Sequence, residues 1–137
     1  MAPSSTGRPT TIRASSLAWR RGGTILATDY VAAQRRIASL RAEVDRAMAS
    51  FDALVMPTVA ILPPRLAELD DDERFFALNA AALRNTLIAS ILDLPAVSLP
   101  VQAPGAPPVG LMMIGRRGED LNLLAAAQAV ESCLHDS

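Results

Sequence analysis

The sequence predicts an α/β chain in which long helices pack on a short, incomplete sheet. Apolar residues recur at three- and four-residue spacing along three long segments, and three short apolar runs are closed by proline or glycine. The order of these segments is helix, strand, helix, strand, strand, helix, which supplies too few strands to cover both edges and faces of a sheet. With 137 residues, half of them apolar, the chain fits one domain and can bury a modest core.

Residues 1–11 are rich in Ser, Thr, Pro and Gly and contain no apolar core of the kind a secretory signal needs. Residues 1–19 are therefore expected to form a flexible lead-in, and residues 20–137 the folded part. Arg8, Arg13, Arg20 and Arg21, with no acidic residue before Asp29, faintly echo an organellar transit segment. A solvated basic tail explains them more simply.

From Thr28 the residues Tyr30, Ala33, Ile37, Leu40, Val44, Ala47 and Phe51 share a helical face, predicting a helix over 29–50. Thr28 is the expected cap and Asp29 complements the positive helix end. Arg41 with Asp45, and Glu43 with Arg46, stand where helical side chains meet. A coiled-coil seam is the alternative, but the pattern gives way to a strand after about three heptads, so a core-facing helix is favoured. Residues 53–56, ahead of Pro57, form a short unbroken apolar run, which is how a strand buried on both faces inside a sheet reads. Residues 58–64 are punctuated by proline and read as a loop.

Asp70, Asp71, Asp72 and Glu73 then cluster before Phe75. Paired carboxylates can bind a metal or act as acid and base, yet capping of the following helix accounts for these more simply. That helix, 73–92, carries Phe75, Phe76, Leu78, Ala82, Leu83, Thr86, Leu87, Ser90 and Ile91 on so broad a stripe that it must be well buried. Leu94 and Pro95 end it. Strands over 96–101 and 109–114, joined by a proline-rich turn, are expected to form an antiparallel hairpin. Glu119 and Asp120 open a last helix, 119–134, with Leu123, Ala127, Val130 and Leu134 on one side.

Thirteen basic residues against 14 acidic ones give no field strong enough to draw in nucleic acid or an anionic membrane, so neither partner is expected. No apolar run approaches the length needed to cross a bilayer. A lone cysteine, Cys133, forms no intramolecular disulfide, and a reducing cytoplasm is the default compartment. No metal or cofactor is expected. Gly110, Gly115 and Gly118 match neither a dinucleotide fingerprint nor a phosphate loop, and turn or strand-end geometry explains them. Cys133 and His135, two residues apart on a helix, do not face each other as nucleophile and base. A half-buried cysteine and an exposed histidine are expected instead, while Met112, Met113 and Trp19 read as packing residues.

Five blocks carry a resemblance: residues 30–36 (YVAAQRR), 51–58 (FDALVMPT), 83–86 (LRNT), 94–100 (LPAVSLP) and 108–116 (PVGLMMIGR). In this order and spacing, over about residues 20–134, they resemble the C-terminal part of the amidase signature family. The resemblance implies a mixed-sheet α/β fold of which this chain is one part. It also implies an amide hydrolase acting through a serine nucleophile, a second serine joined through a cis peptide, and a lysine base, all on an upstream Gly- and Ser-rich core. The chain departs from that pattern. It has no Gly-Gly-Ser-Ser stretch, only Gly22-Gly23 and the separate pairs Ser4-Ser5 and Ser15-Ser16, and all 13 of its Lys and Arg positions are arginine. A guanidinium stays protonated and cannot accept the serine proton. No catalytic residue is expected here.

Thr58, Asn85 and Thr86 are candidates for touching substrate in a complete enzyme. Thr58 follows a strand at the edge where open α/β sheets place ligands, and the resemblance puts its Pro-Thr stretch near the substrate channel. A loop hydroxyl bonding nearby backbone is the simpler alternative. Asn85 and Thr86 lie in the buried helix, where polar side chains need partners. The resemblance matches Thr86 to the acidic residue with which glutamine- and tRNA-directed relatives hold the substrate's amino group, so a neutral or apolar amide is implied. A hydroxyl bonded to the preceding turn is the alternative. The expected function is an amidase-family segment, inactive alone, whose small-molecule amide partner requires an N-terminal catalytic part. The rival is a non-catalytic module docking through its uncovered sheet, and the open edges also imply a homo-oligomer.

Overall fold

The computed structural model describes residues 22–135, which form α1 (Ala27–Ala47), β1 (Leu54–Pro57), α2 (Asp72–Leu92), β2 (Ala96–Pro100), β3 (Gly110–Ile114) and α3 (Asp120–His135). The lead-in, residues 1–19, and Trp19 with it, lie outside the described residues. The order is the one the sequence predicts, and helix outweighs strand. Helices of 21, 21 and 16 residues stand against strands of four, five and five. Short 3-10 turns extend α1 at Met48–Ser50 and interrupt the loop before α2 at Leu66–Leu69.

The three strands form one antiparallel sheet in the order β1-β3-β2. The expected hairpin is present, with Ala96 opposite Ile114 and Leu99 opposite Leu111. Alternation along β3 divides its side chains between two layers. Met113 packs with Leu99, Leu123 and Ala127 beneath α3, while Met112 and Ile114 pack with Ala89 of α2 on the other face. Ile114 is fully buried, and Met112 and Met113 are packing residues as read. Gly115 allows α3 its close approach, because a Cβ there would stand 3.0 Å from the Leu123 Cβ.

β1 departs from its expectation of burial on both faces inside a sheet. It is an edge strand, with Leu54 43% and Val55 50% exposed. Antiparallel pairing gives the central place to β3, and no described element covers the outer side of β1.

α1 begins one residue ahead of the expected cap. Leu26 is its N-cap, without a side-chain bond, and Thr28 lies inside the first turn beside Asp29. Its expected core-facing placement is not met: no α1 residue is buried, and Tyr30 and Phe51, on the face read as apolar, are exposed, because the helix lies at the margin of the described fold and is held by polar contacts. The expected pairs of Arg41 with Asp45 and Glu43 with Arg46 give way to other partners. Arg41 Nη2 donates to the Ile91 carbonyl at 3.0 Å, Asp45 meets Arg117 at 3.5 Å, and Glu43 accepts from Ser39 at 3.0 Å and faces Arg36 at 3.6 Å. A carbonyl at the C-terminal end of α2 lacks a helical partner and sits at the negative pole of the helix dipole, so it draws a guanidinium better than a solvated carboxylate does.

α2 starts as read. Asp71 accepts the Arg74 N–H at 2.9 Å, and Asp72 and Glu73 occupy the first turn. Its expected deep burial is not met: Ala89 alone among its residues is buried. By length and composition α2 is also apolar enough to cross a membrane, although Arg84 and Asn85 divide its apolar run and so mask this in the sequence. The helix ends in a Schellman turn, with Asp93 in the left-handed region at φ 60°, ψ 47° and the Leu94 N–H donating to the Ala89 carbonyl at 3.0 Å.

Two outcomes follow. Asp93→Ala should lower unfolding free energy by about 1 kcal/mol in urea melts, because alanine tolerates the left-handed region less well than aspartate, whereas Asp93→Gly should leave it equal or raised. Glu68 accepts from the Arg74 side chain at 2.7 Å and the Arg65 backbone at 3.0 Å, and these bonds, Arg74 first, hold its carboxyl below the ordinary value. Their small stabilisation is present above the unfolded-state pKa and is lost as pH falls through the lowered folded value. Arg74→Ala should move the Glu68 titration back upward, as read by NMR.

Candidate functional site

Pro57 closes β1, and the next residue extends the ladder by one step: the Thr58 N–H donates to the Gly110 carbonyl at 2.8 Å. Ser98 lies on β2, on the other side of β3. Gly110 opens β3 between them and has no side chain, so the two hydroxyls meet across it, with Thr58 Oγ1 and Ser98 Oγ 2.5 Å apart. A Cβ at Gly110 would stand 2.6 Å from each oxygen. The glycine is needed for this space rather than for turn geometry, correcting its reading from sequence. Gly118, at φ 76°, is a turn glycine as read.

Asn85 reaches from α2 to the same place. Its Nδ2 donates to the Pro57 carbonyl at 2.7 Å, tying the helix to the strand end immediately before Thr58. Thr86 turns into its own helix and donates to the Leu83 carbonyl at 3.1 Å. The structure thus brings Asn85 to the strand end that carries Thr58, but of the three candidates Thr58 alone lines the adjacent groove, and Asn85 and Thr86 are not among its walls.

That groove holds about 550 Å³. Its walls are Val59, Ile61, Pro63 and Pro64 from the loop, Ala82 from α2, and Pro100, Pro108 and Val109 from the hairpin, with Thr58, Ser98 and Gln102 supplying polar atoms. Mostly apolar walls with a few convergent polar groups are the usual make-up of a small-molecule site. Gln102 is held by the Val109 N–H at 3.4 Å. Ser98, Gln102 and Gly110 were not legible as site residues. The available signals were a polar position inside an apolar strand and a glycine inside a strand pattern, which marks close backbone approach.

The groove has no acid, base or thiol in its walls, and no group of His, Cys, Asp or Glu able to hold a metal occurs among the described residues. Cys133 is exposed rather than half-buried and lies on α3, away from the groove. The His135 side chain lies outside the described residues.

The groove thus pairs two hydroxyls at a strand end with largely apolar walls that carry no ionisable side chain. The sequence comparisons give the family. The amidase family profile matches residues 6–124, and the chain belongs to that family. The match begins ahead of residue 20, where the resemblance was first legible. The chain is 34% identical over 103 residues to a glutamyl-tRNA(Gln) amidotransferase subunit of Halobacterium salinarum, covering 74% of this chain and 23% of that protein. It is 32% identical over 116 residues to the fatty acid amide hydrolase of Oryza sativa subsp. indica, covering 82% of this chain and 19% of that one. A crystal structure of an amidase superposes with a TM-score of 0.67 at 27% identity, covering 92% of this chain and 29% of the other. The chain therefore spans about a fifth of the length of such curated relatives.

Gly110→Ala should break the hydroxyl pair and cost about 1–3 kcal/mol in urea melts, since the added methyl overlaps both oxygens. Adding Ser98→Ala should recover part of the loss, and equal stability of Gly110→Ala and the unsubstituted chain would show the space to be idle.

Proposed function

We propose that the chain is the C-terminal part of an amidase, that its groove forms one wall of the substrate channel for small neutral amides, and that it hydrolyses nothing by itself. The observation that carries this reading is the chemistry of the groove. Thr58 and Ser98 offer hydroxyls to a polar head and the loop prolines and aliphatics offer apolar surface, yet nothing beside them accepts a proton. Acyl transfer draws most of its acceleration from a base and a preorganised oxyanion site. A chain without lysine lacks the base that the family resemblance calls for, and an upstream part must supply it.

Two of the family relatives are named for amides, one as an amidotransferase subunit and one as a fatty acid amide hydrolase. The apolar walls of the groove favour a neutral or apolar amide over one bearing a free amino group. The exposed β1 edge fits a second reading, a subunit that docks without taking part in catalysis.

A panel of simple amides, offered to the chain alone and then to the chain mixed with the N-terminal part of an amidase, tests the proposal. No turnover is expected alone, and turnover is expected in the mixture. In that mixture Thr58→Ala should cost about 1 kcal/mol in kcat/KM, one hydrogen bond's worth. Turnover by the chain alone, abolished by Cys133→Ala or His135→Ala, would overturn the proposal, and a stable but silent complex would favour the docking subunit.

A further inference from the structure

α2 has two apolar faces, and this chain occupies one of them. The inner face carries Asn85, bonded to the Pro57 carbonyl, and Ala89, buried against Met112 and Ile114. The opposite face carries Phe76, Leu83, Leu87 and Ile91 at seven- and four-residue spacing, a single stripe along the helix. These side chains are 38%, 47%, 45% and 45% exposed. A helix that is apolar all round belongs inside a larger fold or a bilayer. Arg84, midway along the helix and beside the stripe, weighs against lipid, where a central charge is costly.

An occupant for the stripe is available in the solved amidase. Nearly all of this chain superposes on it, and that leaves more than two thirds of the amidase outside the matched part. We infer that the outer stripe of α2 is the docking surface for the N-terminal part of an amidase, with Leu83 and Leu87 at its centre. The inference rests on the reading under Proposed function and names the surface through which the missing part joins. It also accounts for the contrast between a helix whose composition demands burial and an isolated chain that leaves it open.

The test is co-expression of the full chain with the N-terminal remainder of the crystallised amidase, followed by affinity capture of one and quantification of the other. The unsubstituted chain should capture its partner and, alone, should bind a hydrophobic dye. Leu83→Glu with Leu87→Glu should reduce both roughly tenfold or more, as expected for central interface residues. Leu121→Glu, at an 80% exposed position on α3, should change neither. Circular dichroism checks that helix is retained, and Leu83→Ala with Leu87→Ala repeats the test with a milder change should the glutamates unfold the chain. Undiminished capture by both double variants overturns the surface while leaving the proposed function standing, whereas no capture by the unsubstituted chain overturns both. A dye-silent chain overturns it by showing that the chain's own residues already cover the stripe. The docking surface is likewise overturned if the substitutions abolish only self-association in sedimentation, or only binding to phosphatidylcholine vesicles.

Discussion

β3 is apolar on both faces, and the described fold is arranged around that demand. Met113 on one side and Met112 and Ile114 on the other can be taken out of water together only if the strand is flanked in the sheet and covered above and below. β1 and β2 supply the flanks, and α2 and α3 supply the covers. The remaining elements inherit what is left: the edge for β1, and for α1 a place held by two polar contacts, Arg41 to the end of α2 and Asp45 to Arg117.

The groove is a by-product of the same arrangement. Because β3 lies between β1 and β2, residues from the two outer strands can meet only where β3 presents no side chain, and Gly110 provides that position. The Thr58 and Ser98 hydroxyls are each other's partner there, and Asn85 holds the helix to the strand end that carries Thr58. A polar point is thus built from three elements at the end of a largely apolar groove, with no ionisable group nearby. Under the proposed function such a point would orient a neutral ligand.

Incompleteness shows in where apolar surface is left over. Leu54 and Val55 on the β1 edge and the outer stripe of α2 are too exposed for a chain whose helices and strands are otherwise regular. The chain matches only about a fifth of the length of such relatives, and under the proposed function these would be interior surfaces, covered by the part of an amidase that it does not match.

The sequence by itself determined the elements and their order, because periodicity, proline and capping acids act over a few residues and need no distant partner. Asp71 with Asp72 and Glu73 at the head of α2, and the β2–β3 hairpin, were legible for that reason. It also determined that the lysine base implied by the family resemblance is absent, since the chain contains no lysine. Thr58 was legible as a residue beyond a strand end. Its partner was not, because Ser98 lies forty residues away and only the crossing of strands brings the two together. Tertiary structure alone decided that β1 is an edge and that Arg41 serves the α2 terminus instead of Asp45. Each of these choices depends on which distant group competes most strongly for a strand or a guanidinium, and local pattern carries no record of that competition.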